Sequence, residues 1–199
     1  MVDFNFVYSQ LIPKLERDLP DFLCYHNVAH TLDVLHSCLL IAENEDIDPL
    51  DLKLIQTAAL YHDAGFLVQA ENHEEIGCAM VREELPGFGF SKDQVEKVCG
   101  MIMGTKIPQA PMTILERVVA DADLEYLGTD QFDEKSRRLY QEMKHFDPAL
   151  NGVDWLKIQI DFLERHSYHT HFCIANREQK KQENLQKLKV KLAELTAGQ

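Results

Sequence analysis

The sequence predicts an all-α fold, a single compact helical domain of about nine helices. Three observations carry that expectation. Apolar residues recur at three- and four-residue spacing in almost every segment, helix-capping residues punctuate the segments, and no stretch joins β-branched alternation to hairpin turn signals. VYSQLIPKLERDL gives the first helix, with Pro13 tolerable only near a helix start or at a kink. HTLDVLHSCLLIAENE repeats Leu32, Leu35, Leu39 and Leu40 at helical spacing. DPLDLKLIQTAALYHDAG follows, with Asp48 as N-cap, Pro49 in the first helical position and Gly65 as the closing residue. NHEEIGCAMVREEL begins at Asn72 as a candidate cap and stops before Pro86-Gly87. Ser91 and Gln94 resemble a capping box at the head of SKDQVEKVCGMIMG. PMTILERVVADADLEYLG, TDQFDEKSRRLYQEMKH and GVDWLKIQIDFLERH supply three more helices, and NREQKKQENLQKLKVKLAEL carries Leu185, Leu188, Leu192 and Leu195 along one stripe. The expected organisation is a helical domain over residues 1–175 and an amphipathic C-terminal helix over 176–199, packed on the domain.

Composition narrows the function classes. With 199 residues, 45% of them hydrophobic, the chain can build one sizeable core. It has no apolar run of about 18 residues and no signal-peptide pattern, so a cytoplasmic protein without membrane contact is expected. The five cysteines form no C-x-x-C pair and sit among apolar neighbours, as buried free thiols do. A net charge of −13 argues against a nucleic-acid polymer as partner. The region from Asn176 onward is locally basic, with six Lys and Arg against three Glu, which reads as a solvated helix face. Its leucine stripe leaves a monomer or a homodimer open.

Three apolar segments each carry polar groups that their pattern assigns to the core. CYHNVAHTLDVL holds His26 and His30, LYHDAGF holds His62 and Asp63, and VVADADLEYLG holds Asp121 and Asp123. A charged carboxylate in an apolar setting costs several kcal/mol unless it is paired or bound to a metal. An HD pair alone at a solvated helix terminus is common. One divalent cation held by two imidazoles and two carboxylates resolves all three segments together, and it lowers the pKa of a bound water toward neutrality.

This H…HD…D pattern on helices resembles the HD superfamily of metal-dependent phosphohydrolases over roughly Tyr25 to Leu127. The resemblance implies His30, His62, Asp63 and Asp123 as metal ligands, Asp123 being preferred to Asp121 for its A-D-x-L context. YHNVAH is similar to the Y-H-N-x-x-H segment of class I cyclic-nucleotide phosphodiesterases, which implies His26 as general acid; capping of the helix is its alternative role. The likeness to those enzymes ends with this segment, so cyclic-nucleotide cleavage does not follow.

His73 is the next candidate for catalysis, as a base, a phosphate contact or, with Glu74, a ligand of a weak second ion such as Mg²⁺. Glu74 and Glu75 also suit the first turn of a helix without any further role. MIMGTK has no histidine where bimetallic relatives of the superfamily carry one, which counts against a full second site. The first carboxylate after HD is Glu71, eight positions on, and leaves the base open. Of the cluster His166, His169 and His171, His169 is a candidate for the pocket wall, and Lys106 and Arg82 are the mid-chain cations available for phosphate.

The function expected is a metal-dependent phosphohydrolase acting on a nucleotide or other small phosphorylated metabolite through metal-bound hydroxide. A non-catalytic nucleotide- or metal-binding sensor and a di-iron HD-type oxygenase are the alternatives. The mixed nitrogen and oxygen donors suit one Mn, Fe, Co, Ni or Zn ion.

Overall fold

Asp3 opens the first helix earlier than the apolar pattern alone indicates. Its carboxylate accepts from the Phe6 amide, and α1 runs Phe4–Asp18, which puts Pro13 in the helix interior rather than near its start. Pro13 itself is exposed, and burial of Val7, Leu11, Ile12 and Leu15 on the other face outweighs the hydrogen bond it removes. The chain continues through α2 (Val28–Glu43), α3 (Pro49–Tyr61), α4 (His73–Glu84), α5 (Lys92–Thr105) and α6 (Ile114–Leu124). It ends with α7 (Phe132–Phe146), α8 (Gly152–Arg165), α9 (His171–Asn176) and α10 (Glu178–Ala197).

This computed structural model describes residues 3–197, so the outermost two residues of the expected 1–175 and 176–199 segments lie outside the described residues. Among the described residues there is no strand, and the fold is all-α. The helix beyond the expected nine is α9, six residues long and capped by Thr170, whose hydroxyl accepts from the Cys173 amide. A helix that short has no apolar period to read.

Sequence caps account for several helix starts. The Asn27 side chain accepts from the Ala29 and His30 amides, and Asp48 accepts from Leu50 and Asp51 ahead of Pro49. Ser91–Gln94 and Thr113–Glu116 each close a full capping box. Helices α2, α3, α5 and α6 share one core, in which Cys38, Ile55, Ala58, Val98, Ile102 and Val119 are fully or nearly fully buried. A smaller core around Leu127, Leu156, Leu163, Leu185 and Leu188 joins α8 and α10 to the turn after α6. Of the C-terminal stripe, Leu185 and Leu188 are buried while Leu195 is 45% exposed. A Cβ on Gly128 would sit 2.3 Å from the Arg177 carbonyl oxygen, so a glycine there lets the start of α10 press against the turn. No helix of the described residues is long and apolar enough to cross a membrane.

Candidate active site

The HD pair lies at a junction between helices. Helix α3 stops at Tyr61, His62 is its C-cap, and a single 3-10 turn, Ala64–Leu67, follows Asp63. Gly65 therefore does not close α3. It is glycine because the backbone of His73 crosses it, where a Cβ would lie 2.0 Å from the His73 carbonyl oxygen. Asn72, the residue before α4, has a left-handed backbone (φ 56°) and makes no side-chain cap. Asn tolerates that conformation better than most residues, so it serves here as a turn residue. The Gly65 crossing and the Asn72 turn together bring His73 beside the HD junction.

Four side chains converge there. His62 Nε2 is 3.3 Å from His30 Nε2. Asp63 Oδ2 is 3.1 Å from His62 Nε2 and 3.4 Å from His30 Nε2. Asp123 Oδ1, from the end of α6, is 3.1 Å from His30 Nε2 and 3.7 Å from His62 Nε2. His30, His62 and Asp123 can offer ligand atoms within 4.8 Å of one another, and Asp63 reaches both imidazoles from the side. Nδ1–H of His62 donates to the Ala59 carbonyl oxygen at 2.8 Å, which turns Nε2 toward the cluster. Asp63 Oδ2 is buried and has no hydrogen-bond donor. Lone pairs turned toward one another in a buried pocket repel unless a proton or a cation lies among them. The donor set, two imidazoles and two carboxylates, suits a divalent transition metal.

The metal-free electrostatics point the same way. Burial would raise the Asp63 carboxyl, but the charges of His62 and His26 hold it well below the usual carboxylate range. Burial works against a charge on His62, yet Asp63 and Asp123 push it up to about 9. For His30 burial prevails and its pKa is lowered. Negative charge prevails at one imidazole of the cluster and burial at the other, and a divalent cation would neutralise the carboxylates that face both.

His26 stands just before the α2 cap and outside the cluster. Its Nδ1–H donates to Glu142 Oε1, while Glu142 Oε2 accepts the backbone amides of Tyr25 at 2.8 Å and of His26 at 3.0 Å. Burial opposes protonation of His26, but Asp63 and the Glu142 hydrogen bond outweigh it and raise its pKa. Phe66 lies against both flanking histidines, with ring centroids 4.4 Å from His26 and 4.3 Å from His73. Nδ1–H of His73 donates to the Ala70 carbonyl at 3.0 Å, and its Nε2 faces Asp63 Oδ1 at 3.5 Å and Glu74 Oε1 at 3.4 Å.

Asp121 has a separate task. Fully buried, it accepts the amides of His169 and Thr170 and the Thr170 hydroxyl, tying the segment before α9 to α6. His169 is thereby held at Asp121 and is not among the cavity-lining residues, contrary to the expectation for it. His171 is exposed, and His166 is packed beside Lys181. Lys106 pairs with Glu75 and Arg82 with Glu96, so neither expected cation lines the cavity. Glu142 is the site residue that sequence reasoning missed; its one signal is a place beside the apolar stripe Phe132, Leu139 and Met143 of α7.

A cavity of about 310 Å³ opens onto this cluster, with His26, Asp63, His73 and Asp123 at one side and apolar residues of α7 and α8 opposite. Residues 27–125 match the family described as HD domain. A crystal structure of a predicted HD superfamily hydrolase from an uncultured Thermotogales bacterium superposes with a TM-score of 0.63 at 20% identity, covering 94% of this chain and 92% of that one. No curated protein matches the chain.

Proposed function

We propose that this chain, which belongs to the HD-domain superfamily, is a metal-dependent phosphohydrolase acting on a small phosphorylated substrate. The observation that carries the reading is Asp63 Oδ2, a buried carboxylate oxygen without a donor, turned toward two imidazole nitrogens and joined by Asp123. His30, His62, Asp63 and Asp123 would hold one divalent ion. When bound, that ion supplies Lewis acidity toward a phosphoryl oxygen and a water of lowered pKa.

The chain's own groups do the rest. Glu142 fixes the His26 ring by its Nδ1 and favours its protonated form, so Nε2–H is aimed away from Glu142 as a donor for the leaving oxygen. His73 holds its Nδ1 on the Ala70 carbonyl, and its Nε2, beside Asp63 and Glu74, can take a proton from the attacking water. Phe66 shields the ring faces of both, leaving their nitrogens as the reactive edges.

A second reading, the di-iron oxygenase, draws on His73 Nε2, Asp63 Oδ1 and Glu74 Oε1 facing one another. One experiment separates the two. Elemental analysis of the purified protein beside Asp63→Ala, followed by a phosphoester screen with the metal found, should give about one transition metal per chain in the wild type, little in the variant, and phosphate release only with the wild type. Two irons per chain would favour the oxygenase. Full metal occupancy in Asp63→Ala would overturn the ligand assignment.

A further inference from the structure

The cavity beside the metal cluster has two faces of opposite chemistry. On the cluster side stand three carboxylates (Asp63, Glu74, Asp123) and two imidazoles (His26, His73), and among the described residues no lysine or arginine lines it. A bound dication would offset two of the carboxylates, and His26 is already paired with Glu142, which leaves no positive charge to spare. A nucleoside di- or triphosphate, with three or four negative charges, would meet no lysine or arginine for its outer phosphates, the side chains that recognise such groups.

The other face is almost wholly apolar. Leu139 and Met143 of α7 and Trp155, Ile158 and Phe162 of α8 all line the cavity. Among the few polar side chains of this face, Gln159 donates its Nε2–H to Ser136 Oγ, which ties these two to each other. A cavity of 310 Å³ takes roughly ten groups of water or methylene size at about 30 Å³ each. Apolar surface of that extent, continuous with a catalytic cluster, is where a ligand's body is buried.

We infer that the substrate is the phosphoester of an apolar alcohol, its single phosphoryl group at the cluster and an alkyl or aryl body of roughly six to ten carbons between α7 and α8. This rests on the phosphohydrolase reading above, and it names which class of phosphoester fits. The reaction is hydrolysis of one ester P–O bond: water adds to phosphorus, the alcohol leaves with the proton given by His26, and inorganic phosphate is released when the ester is a monoester.

The test pairs binding with turnover in the Mn²⁺-loaded full chain. Calorimetry compares ethylphosphonate with octylphosphonate, neither of which can be hydrolysed, and phosphate release compares ethyl phosphate, octyl phosphate and ATP. The octyl compounds should be favoured on the order of a hundredfold in Kd and in kcat/KM, well inside what six buried methylenes can supply. ATP should be the poorest substrate. Ile158→Glu, at a lining position 49% exposed in α8, should cut the octyl-to-ethyl ratio in binding below about tenfold while circular dichroism and metal content stay at wild-type values.

Octylphosphonate binding without any turnover would keep the apolar chamber and overturn the hydrolase reading. Turnover with no chain-length dependence, or with ATP preferred, would overturn the substrate inference and leave the hydrolase standing. An octyl preference untouched by Ile158→Glu would remove the body from between α7 and α8.

Discussion

The stretch from α2 to α6 and the stretch from α7 to α10 use buried polar groups differently. In the first, His30, His62, Asp63 and Asp123 are turned toward one another beside a densely packed core, and none of the described residues satisfies Asp63 Oδ2. In the second, most buried polar groups are matched by other groups of the described residues, His166 Nε2 being an exception. Glu142 takes the backbone of Tyr25 and His26, Lys181 donates to the His166 carbonyl at 2.7 Å, and Asn184 donates to the Leu127 carbonyl at 3.0 Å. The first region stores an unmet demand for a cation. The second is largely matched, His166 Nε2 apart, and α7 and α8 line a cavity with apolar side chains. On the function proposed above, reaction chemistry and substrate preference would be carried by different parts of one chain.

Asp121 joins the two regions, and removing it should have the largest effect. Asp121→Ala leaves two buried amides and a hydroxyl without an acceptor. We expect a loss of about 3 kcal/mol and a fall in melting temperature of about 10 °C, read by thermal unfolding. If the melting point is unchanged, the C-terminal region does not depend on this tether. Glu142→Gln cuts the link from the other side. Activity should drop about a hundredfold, or about 2.7 kcal/mol in the barrier, with metal content retained. Burial opposes the His26 charge while Asp63 and Glu142 raise its pKa, so removing the Glu142 charge lowers it. A protonated donor is then lost at lower pH, and the alkaline limb of the rate profile should move down. A rate drop without that movement would reduce Glu142 to a purely structural role.

Gly65→Ala probes the packing of the HD junction itself. A Cβ 2.0 Å from the His73 carbonyl must displace α4, for an expected loss of about 2 kcal/mol in urea unfolding. The smallest effect belongs to His166, half-buried beside Lys181 in the second region. Burial and then the charge of Lys181 lower its pKa to about 3. The folded state therefore keeps it neutral while the unfolded chain protonates near pH 6.5. Stability should fall with pH from about 6.5 toward 3 through this group, and His166→Phe should flatten that slope by about 1 kcal/mol at about pH 5. Urea midpoints at two pH values measure it; equal slopes in both proteins would exclude His166 as the source.

The same division explains what the sequence made legible. The helices of the first region announce themselves by caps such as Asp48-Pro49 and Ser91–Gln94, and the cluster by polar residues standing where apolar ones belong. Asp121 and Asp123 look alike in VVADADL, yet one anchors the segment before α9 and the other meets His30 across the fold. Glu142 reads as an ordinary surface glutamate in YQEMKH, because its partner lies 116 residues away along the chain. Trp155 and Phe162 carry the same pattern as core residues, and a helix that packs on a core and one that walls a cavity are indistinguishable by period. His169, Lys106 and Arg82 drew attention by residue type, which says nothing of the direction in which a side chain is held.

Phe66 touches the rings of both His26 and His73, while those two centroids stand 6.3 Å apart. An aromatic shelf carries no exchangeable proton, so the two imidazoles share a mechanical support without sharing an acid–base circuit. A displacement of the 3-10 turn would shift both rings together, yet a proton lost by one could reach the other only through solvent or through a bound substrate.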